Sequence, residues 1–167
     1  MRRQGGGASQ VEPYSKAVGY AYAIFKWDPV TQLAGVLNGP ASGLTAGTTR
    51  LVGVSTGWSP ASTAATLLIL DHPFDLFEAQ GDGSDASLMV AASMGYNANL
   101  NYSGTAGGGE TRDNSGVQVT ETTIAVTATL DVRVLRLLNE VDNAYGAYGR
   151  LELRINKHLN NAEVTAT

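Results

Sequence analysis

The chain has 167 residues and a mass of 17.4 kDa, which is enough for one globular domain and too little for two independent cores. Only 16% of the residues are charged and the formal net charge is −4, so there is no excess of cations to bind a nucleic acid. Cysteine is absent, which excludes disulfides and thiol chemistry, and no apolar stretch resembles a secretion signal or reaches the about 18 residues of a membrane span.

The N-terminal residues have no periodic apolar pattern and are rich in glycine. We expect an extended arm over residues 1–13, one β-rich domain over 14–159 and a C-terminal tail over 160–167. A partner subunit that holds the arm is the favoured hypothesis, and an arm folded back on its own domain is the alternative. The residues of the arm assigned to partner binding are Arg2, Arg3, Gln4, Gly5, Gly6 and Gly7.

The first half of the domain contains four strand candidates. Alternating aromatic and small residues predict a strand from Tyr20 to Trp27, which Pro29 ends because it cannot donate a ladder hydrogen bond. Alternation also marks Thr48 to Ser55 as extended. The apolar run from Thr66 to Leu70 has the length of a buried strand, and Phe74 to Gln80 follows as another.

The second half shows the clearest period of two. Ser84 to Ser93 could form a short helix, because Ser84 or Asp85 can cap it, and Asn97 to Gly116 is typical of a loop. Apolar residues alternate from Ile124 to Val134, and alternation resumes from Leu151 to Ile155, which predicts an antiparallel hairpin with arginines and acids opposed on its polar face. The fold class predicted is all-β, mainly antiparallel, as a small barrel or sandwich.

Enzymatic activity is a minor hypothesis. His72 lies beside Asp71 and ahead of Pro73, but no Gly-x-Ser-x-Gly motif accompanies it, and adjacent residues of an extended chain point in opposite directions. A turn capped by Asp71 is the preferred interpretation. His158 has no metal-ligand spacing around it, and the glycine-rich segment from Gly104 to Gly109 lacks the lysine of a phosphate-binding loop, so no cofactor is predicted.

The acidic residues between Asp71 and Asp85 form the other polar candidate. Oxygen ligands for a hard cation could come from Asp75, Glu78, Asp82 and Asp85, but their spacing does not match a calcium loop. A solvated acidic turn is the better interpretation. Since no lysine or arginine interrupts the segment, it could dock on a basic partner, and we assign partner contacts to Asp82 and Asp85.

The two tryptophans are open to several interpretations. Trp27 and Trp58 could stack on a sugar or on a neighbouring subunit, although burial in the core is the commoner role of a tryptophan. With Tyr20 or Tyr22 they could form the exposed platform of a carbohydrate- or receptor-binding module. Trp58 is therefore included among the candidate partner-binding residues.

Two blocks of sequence resemble the capsid decoration, or cement, proteins of tailed bacteriophages. The first is Thr66 to Pro73 with Phe77 to Gln80, and the second runs from Leu130 through Asp142-Asn143 to His158. This resemblance implies a small, non-enzymatic virion protein that binds the outside of the capsid and bridges major capsid protein subunits. It could also form a homo-oligomer there, with Arg2 and Arg3 pairing with acidic capsid residues. Neither nucleic acid nor membrane is expected as a partner.

Overall fold

The computed structural model describes residues 1–4, 11–40, 44–102 and 115–161, and these form eleven strands and one short 3-10 turn. The strands are β1 (Arg2–Gln4), β2 (Val11–Lys16), β3 (Pro29–Leu33), β4 (Val36–Asn38), β5 (Gly53–Ser55), β6 (Ala65–Leu70), β7 (Leu76–Gln80), β8 (Asn97–Asn101), β9 (Gln118–Ala125), β10 (Val132–Leu137) and β11 (Arg150–Ile155). The 3-10 turn is Ala91–Ser93. None of the described residues forms a helix with the length and hydropathy needed to cross a membrane.

The strands form two sheets that pack as a sandwich. The six-stranded sheet has the order β1-β7-β11-β10-β8-β9, and the five-stranded sheet has the order β2-β6-β5-β3-β4. All pairings between these strands are antiparallel. The predicted all-β, mainly antiparallel class is confirmed, and of the two architectures expected, the sandwich is the one that forms.

The main core lies between the sheets. Val54 and Leu70 reach it from the five-stranded sheet, and Phe77, Val134 and Leu153 reach it from the six-stranded sheet. Burying one such side chain stabilises the fold by about 1.5–3 kcal/mol. The two faces of each strand are distinguished by the period of two in its sequence.

A second core covers the opposite face of the five-stranded sheet. Leu67 and Ile69 of β6 point into it, whereas Leu70 points into the main core. Because both faces of β6 are apolar at this end, the strand reads as a continuous apolar run and not as an alternation, which explains why the prediction for Thr66 to Leu70 is confirmed.

The segment from Tyr20 to Trp27 is not a strand, contrary to prediction. Only isolated bridging occurs, with Ile24 pairing with Ser59. Local side-chain bonds replace the ladder: the amide of Phe25 donates to the Asp28 carboxylate over 2.9 Å, and the Tyr20 hydroxyl exchanges hydrogen bonds with the backbone of Gly39. Trp27 then adopts a left-handed φ of 70°, which is incompatible with an extended strand.

The long alternation from Ile124 to Val134 is divided between two strands. β9 ends at Ala125 and β10 begins at Val132, so the residues between them form a turn. Side-chain amides hold this turn: Asn97 donates to the carbonyl of Thr127, and Asn156 donates to those of Ala128 and Leu130. The predicted pairing of β10 with β11 as an antiparallel hairpin is confirmed.

Two further predictions about secondary structure need correction. Asn97 to Asn101, expected in a loop, is strand β8; the remainder of that expected loop lies partly outside the described residues. The helix expected from Ser84 to Ser93 is reduced to turns and the 3-10 turn. The carboxylates of Asp82 and Asp85 accept hydrogen bonds from Ser84 and Ser87, and these local bonds compete with helix formation.

The N-terminal arm is partly built into the sandwich. Residues 2–4 pair with β7, Met1 is only 7% exposed in the main core, and β2 begins at Val11. The expected limit between arm and domain at residue 13 therefore falls inside a strand, and the alternative of a fold-back applies to residues 1–4. Without this pairing β7 would be an edge strand with unpaired backbone groups, and residues 2–4 form hydrogen bonds with those groups. Gly5, Gly6 and Gly7, and the tail beyond residue 161, lie outside the described residues.

Asp28 gives the fold a pH dependence with a defined sign. Its side chain is fully buried, and burial raises its pKa to about 6 although the amide of Phe25 opposes this shift. Because the folded pKa lies above the unfolded value, this group's effect on stability is neutral below about pH 4 and grows unfavourable up to about pH 6. Asp28→Asn is expected to remove that decline, which amounts to at most about 3 kcal/mol.

The measurement is the difference in unfolding free energy between wild type and Asp28→Asn in urea, followed from pH 4 to pH 8. The difference should favour the variant increasingly up to about pH 6 and then stay constant. A difference that does not change with pH would contradict the raised pKa.

Candidate interaction surface

The outer face of the six-stranded sheet carries an array of charged side chains. Along β7 and β11, residues alternate between the core and this face, so Phe77 and Leu153 are buried inside while Glu78, Glu152 and Arg154 point outward. The strand register arranges the outward residues in two rows that cross β7, β11 and β10. The first row is Glu78, Glu152 and Arg136, and the second row is Leu76, Arg154 and Arg133.

The first row is electrostatically compensated. Arg136 forms a bidentate pair with Glu152, at 2.9 Å from Nε to Oε1 and 3.0 Å from Nη2 to Oε2. Arg150, also on β11, forms ion pairs with Glu78 and Glu140. The hydrogen bond that Arg136 donates to Glu152 raises the pKa of Arg136, and the hydrogen bond that Arg150 donates to Glu78 raises the pKa of Arg150. These glutamates would repel each other across the strands, and the arginines prevent this.

The second row is not compensated. Arg133 on β10 and Arg154 on β11 stand directly opposite each other, and neither forms an ion pair with any residue in the described ranges. Both are half-buried. Burial, and then the charge of Arg133, lower the pKa of Arg154. Like charges placed directly opposite across two strands destabilise a sheet, so this pair costs free energy in the isolated protein.

An exposed aromatic group borders the arginine pair. The Phe74 side chain is 57% exposed, and its ring centroid lies 5.5 Å from the guanidinium carbon of Arg154. The ring of His72 lies 5.7 Å from that of Phe74. Arginine over an aromatic ring remains able to donate its planar hydrogen bonds outward. We call Arg133, Arg154 and Phe74 the arginine patch.

The predicted partner-binding residues fall in three different places. Backbone pairing sets Arg2, Arg3 and Gln4 on the edge of the sheet that carries the arginine patch, with Gln4 in the same register row as Arg154. Trp58 is 46% exposed, in the loop after β5 of the other sheet. Asp82 and Asp85 belong to the loop after β7. The structure thus places Arg2, Arg3 and Gln4 in the sheet that carries the arginine patch, whereas Trp58, Asp82 and Asp85 lie in loops.

The predicted acidic patch does not form as expected. Asp71, Asp75 and Glu78 are buried, and the Asp71 carboxylate accepts a hydrogen bond from the Tyr14 hydroxyl over 2.9 Å. Only Asp82 and Asp85 remain partly exposed. Within the ranges that the structure describes, no three histidine or acidic side chains are grouped as a metal site would require.

Both histidines accept local hydrogen bonds from the backbone. His72 is exposed, and its Nδ1 accepts the amide of Phe74 over 3.3 Å, so the turn expected there is present with His72 and not Asp71 as its cap. His158 is fully buried, and its Nδ1 accepts the amide of Asn160. Burial lowers the pKa of His158.

The aromatic residues proposed for a stacking platform are not assembled as one. Tyr20 is buried and contacts Tyr22 edge-on, with ring centroids 5.9 Å apart. Trp27 is half-buried beneath Lys26, whose ammonium lies 5.0 Å from its ring centroid. Among the described residues, neither tryptophan ring contacts another aromatic ring.

Sequence reasoning did not single out Arg133, Arg154 or Phe74. The alternation of charged residues in the predicted hairpin was a signal that arginines would occupy its polar face. Which of them meet depends on the register, and β10 contains an irregularity between Val134 and Arg136 that no local pattern predicts.

Comparisons of the chain with protein-family models, with curated proteins and with solved structures found no match.

Proposed function

We propose that this protein is a non-enzymatic structural protein of a phage virion, which binds the outer surface of the capsid and stabilises it by bridging major capsid protein subunits. The observation that carries the proposal is the uncompensated pair of Arg133 and Arg154, both half-buried, on the outer face of the six-stranded sheet. The resemblance of residues 66–80 and 130–158 to capsid decoration proteins supports the same function.

The arginine patch fits an acidic partner surface. A guanidinium donates two parallel hydrogen bonds to a carboxylate, so one or two carboxylates inserted between Arg133 and Arg154 would relieve their repulsion on binding. Phe74 adds an apolar contact beside the charges. The pair therefore contributes more in the complex than in the free protein, which is the behaviour of a binding site and not of a stabilising contact.

Binding of this kind stabilises a shell by mass action. A protein that binds the assembled shell and not the loosened one adds about 2.7 kcal/mol per site when present at a hundred times its dissociation constant. Since sites repeat over the lattice, modest contacts suffice. On this proposal the protein is made in the host cytoplasm and resides on the capsid surface, as single copies or as a homo-oligomer.

The test uses purified shells that lack this component. The double variant Arg133→Glu/Arg154→Glu is expected to bind at least about a hundredfold more weakly than wild type, because two attractive contacts become repulsive. Attachment measured by co-sedimentation should also weaken as salt rises, since the contact is ionic. Wild-type protein should raise the temperature at which the shells rupture.

The matched control is Lys26→Glu, which reverses an exposed cation in the connection between β2 and β3. It should bind the shells as wild type does. The charge-neutral variant Arg154→Gln should lose affinity while its unfolding free energy stays equal or rises, because the repulsion with Arg133 is removed. If the double reversal attaches with unchanged affinity, the arginine patch is not the docking surface. Deleting residues 1–7 is a poorer test, since it also removes Met1 from the core.

The alternative of a carbohydrate- or receptor-binding module built from Trp27, Trp58 and Tyr20 or Tyr22 has less support. Tyr20 is buried, and among the described residues neither tryptophan ring contacts another aromatic ring.

A further inference from the structure

The chain contains one Asn-Gly pair, Asn38–Gly39, at the end of strand β4. Asparagine followed by glycine is especially prone to spontaneous deamidation, because glycine has no side chain to keep its backbone nitrogen away from the amide before it. None of the other asparagines in the sequence precedes a glycine. This pair is therefore the place where the chain can most readily modify itself.

Deamidation of such a pair is an intramolecular reaction between neighbouring groups of one chain. The backbone nitrogen of Gly39 loses its proton and bonds to Cγ of Asn38, while the bond from Cγ to Nδ2 breaks and the nitrogen leaves as ammonia, taking up that proton. Water then opens the cyclic imide at either carbonyl, which leaves aspartate or isoaspartate at residue 38. The reaction requires a Gly39 nitrogen that is free to lose its proton and to turn towards the side chain of Asn38.

The Tyr20 hydroxyl holds both polar groups of Gly39. The Gly39 amide donates to Oη of Tyr20 over 2.8 Å, and Oη of Tyr20 donates to the Gly39 carbonyl over 3.0 Å. Tyr20 is only 7% exposed, and Gly39 is buried as well. One hydrogen bond occupies the proton that the reaction must remove, and the two together fix the orientation of the nitrogen. We call this pair of hydrogen bonds the Tyr20 clamp.

The side chain that would be attacked is also held. Nδ2 of Asn38, the leaving nitrogen, donates to the carbonyl of Val36 over 3.3 Å. Backbone pairing with Thr31 of β3 fixes Asn38 itself in the hairpin. Asn38 is only half-buried, so the water that completes the reaction has access to it. Reaction at this site therefore requires a local opening that breaks contacts on both sides of the peptide bond.

Packing explains why glycine occupies position 39 despite its reactivity. A Cβ there would lie 3.0 Å from Cγ1 of Ile24 and 3.4 Å from the hydroxyl oxygen of Tyr20. Ile24 is fully buried in the second core, where side chains have little room to move. Glycine thus lets the backbone approach the second core closely enough to meet the Tyr20 hydroxyl, and the same residue creates the reactive pair.

We propose that Asn38–Gly39 is a site of self-modification by deamidation, and that the Tyr20 hydroxyl suppresses the reaction in the folded protein. An isoaspartate carries the main chain through the former side chain and lengthens it, which disturbs the register that pairs Asn38 with Thr31. Either product also adds a negative charge at a half-buried position. Tyr20 therefore protects the hairpin of β3 and β4 from a covalent change that refolding cannot reverse.

The experiment compares wild type with two variants of the full chain that each lose one tyrosine hydroxyl. Tyr20→Phe keeps the ring and removes the Tyr20 clamp. Tyr14→Phe is the matched control, because Tyr14 also packs against the second core but its hydroxyl donates to Asp71. The folded proteins are incubated at mildly alkaline pH, and mass spectrometry of their peptides gives the fraction of aspartate and isoaspartate at residue 38 over time.

Tyr20→Phe should deamidate at residue 38 about tenfold faster than wild type or more, the factor expected when two hydrogen bonds are lost. Tyr14→Phe should stay within about twofold of wild type. In urea all three proteins should react at one common rate, faster than folded wild type, because the unfolded chain has no clamp. Asn38→Gln should give no such product, since glutamine would have to close a larger ring.

Hydrogen exchange of the wild-type protein tests the clamp even if Tyr20→Phe does not fold. The Gly39 amide lies beyond the end of β4, yet it should exchange at least about a hundredfold more slowly than in the unfolded chain. Exchange as rapid as in the unfolded chain would overturn the proposal, and so would equal deamidation of wild type and Tyr20→Phe. Equal acceleration by Tyr14→Phe would also overturn it, because general loosening of the second core would then control the site. None of these measurements depends on the proposed capsid function.

Discussion

Gly53→Ala is expected to destabilise the protein by more than about 3 kcal/mol, a large part of the 5–15 kcal/mol that stabilises an ordinary domain. A Cβ on Gly53 would lie 2.1 Å from the carbonyl oxygen of Leu70 and 2.8 Å from Cγ2 of Ile69. Both neighbours belong to β6, which is fixed between the two cores, so neither can move away without opening the sheet. Urea unfolding followed by tryptophan fluorescence measures the loss.

Gly57→Ala is the matched control for this change. Gly57 lies two residues after β5, the strand that begins at Gly53, but its Cβ would meet only Cδ2 of Leu67 at 3.6 Å, an ordinary contact. Its unfolding free energy should stay within about 1 kcal/mol of wild type. Equal midpoints for the two variants would mean that β5 and β6 do not approach as closely as described.

The parts of the fold that could be predicted from sequence are those whose signal is local. Strand β11 has Leu151, Leu153 and Ile155 on one face, and all three are buried in the main core. Strand β6 is a short apolar run of the right length. In both cases the side-chain pattern and the backbone geometry agree over five or six consecutive residues. A period of two is enough for β11, and the length of the apolar run is enough for β6.

The parts that could not be predicted depend on buried polar groups with distant partners. Asn97 and Asn99 have the composition of a loop, yet both lie in β8, where the side chain of Asn97 donates to the carbonyl of Thr127. The aromatic alternation from Tyr20 to Trp27 resembles a strand, but Tyr20 uses its hydroxyl on Gly39. Tertiary hydrogen bonds of this kind override local propensity.

The candidate interaction surface was predictable only in part. The sequence indicated that arginines and acids would share the polar face of the last hairpin, and Arg136 with Glu152 bears this out. It could not indicate that Arg133 would face Arg154, because the extra residue near Val134 shifts the register of β10. A shift of one residue changes the charged side chain that faces each position on the next strand.

The distribution of charge bears on the proposed docking. The whole chain has eleven basic and fifteen acidic residues, so it is weakly negative. Four of the eleven basic residues nevertheless stand on β10 and β11: Arg133, Arg136, Arg150 and Arg154. The buried Glu152 and Glu78 form ion pairs with Arg136 and Arg150. Arg133 and Arg154, in the second row, are left available to a partner. A sparsely charged molecule with one concentrated pair of this kind can be oriented on an acidic surface by that pair.

Asp131→Asn is expected to destabilise the fold by about 2–3 kcal/mol, although the replacement is isosteric. The Asp131 carboxylate is fully buried between the sheets and accepts hydrogen bonds from the amide of Gly47 over 2.9 Å, the amide of Leu100 over 3.0 Å and the hydroxyl of Tyr102 over 3.2 Å. All three are donors. An asparagine offers one acceptor oxygen, so whichever way the amide is oriented its NH2 group faces an N–H that then lacks a partner.

Two other aspartates make the comparison decisive. Asp142→Asn, at an exposed loop position, should leave the unfolding free energy within about 0.5 kcal/mol of wild type. Asp28→Asn should stabilise the protein at pH 7, because one carboxylate oxygen of Asp28 has no hydrogen-bond partner among the described residues and its charge is buried. Burial raises the pKa of Asp131 as well, although the amides of Leu100 and Gly47 oppose it, so charge alone would make the two buried aspartates respond alike. Opposite signs for Asp131→Asn and Asp28→Asn in urea unfolding at pH 7 would show that the number of donors facing the carboxylate, and not its charge, decides its contribution; the same sign would refute that argument.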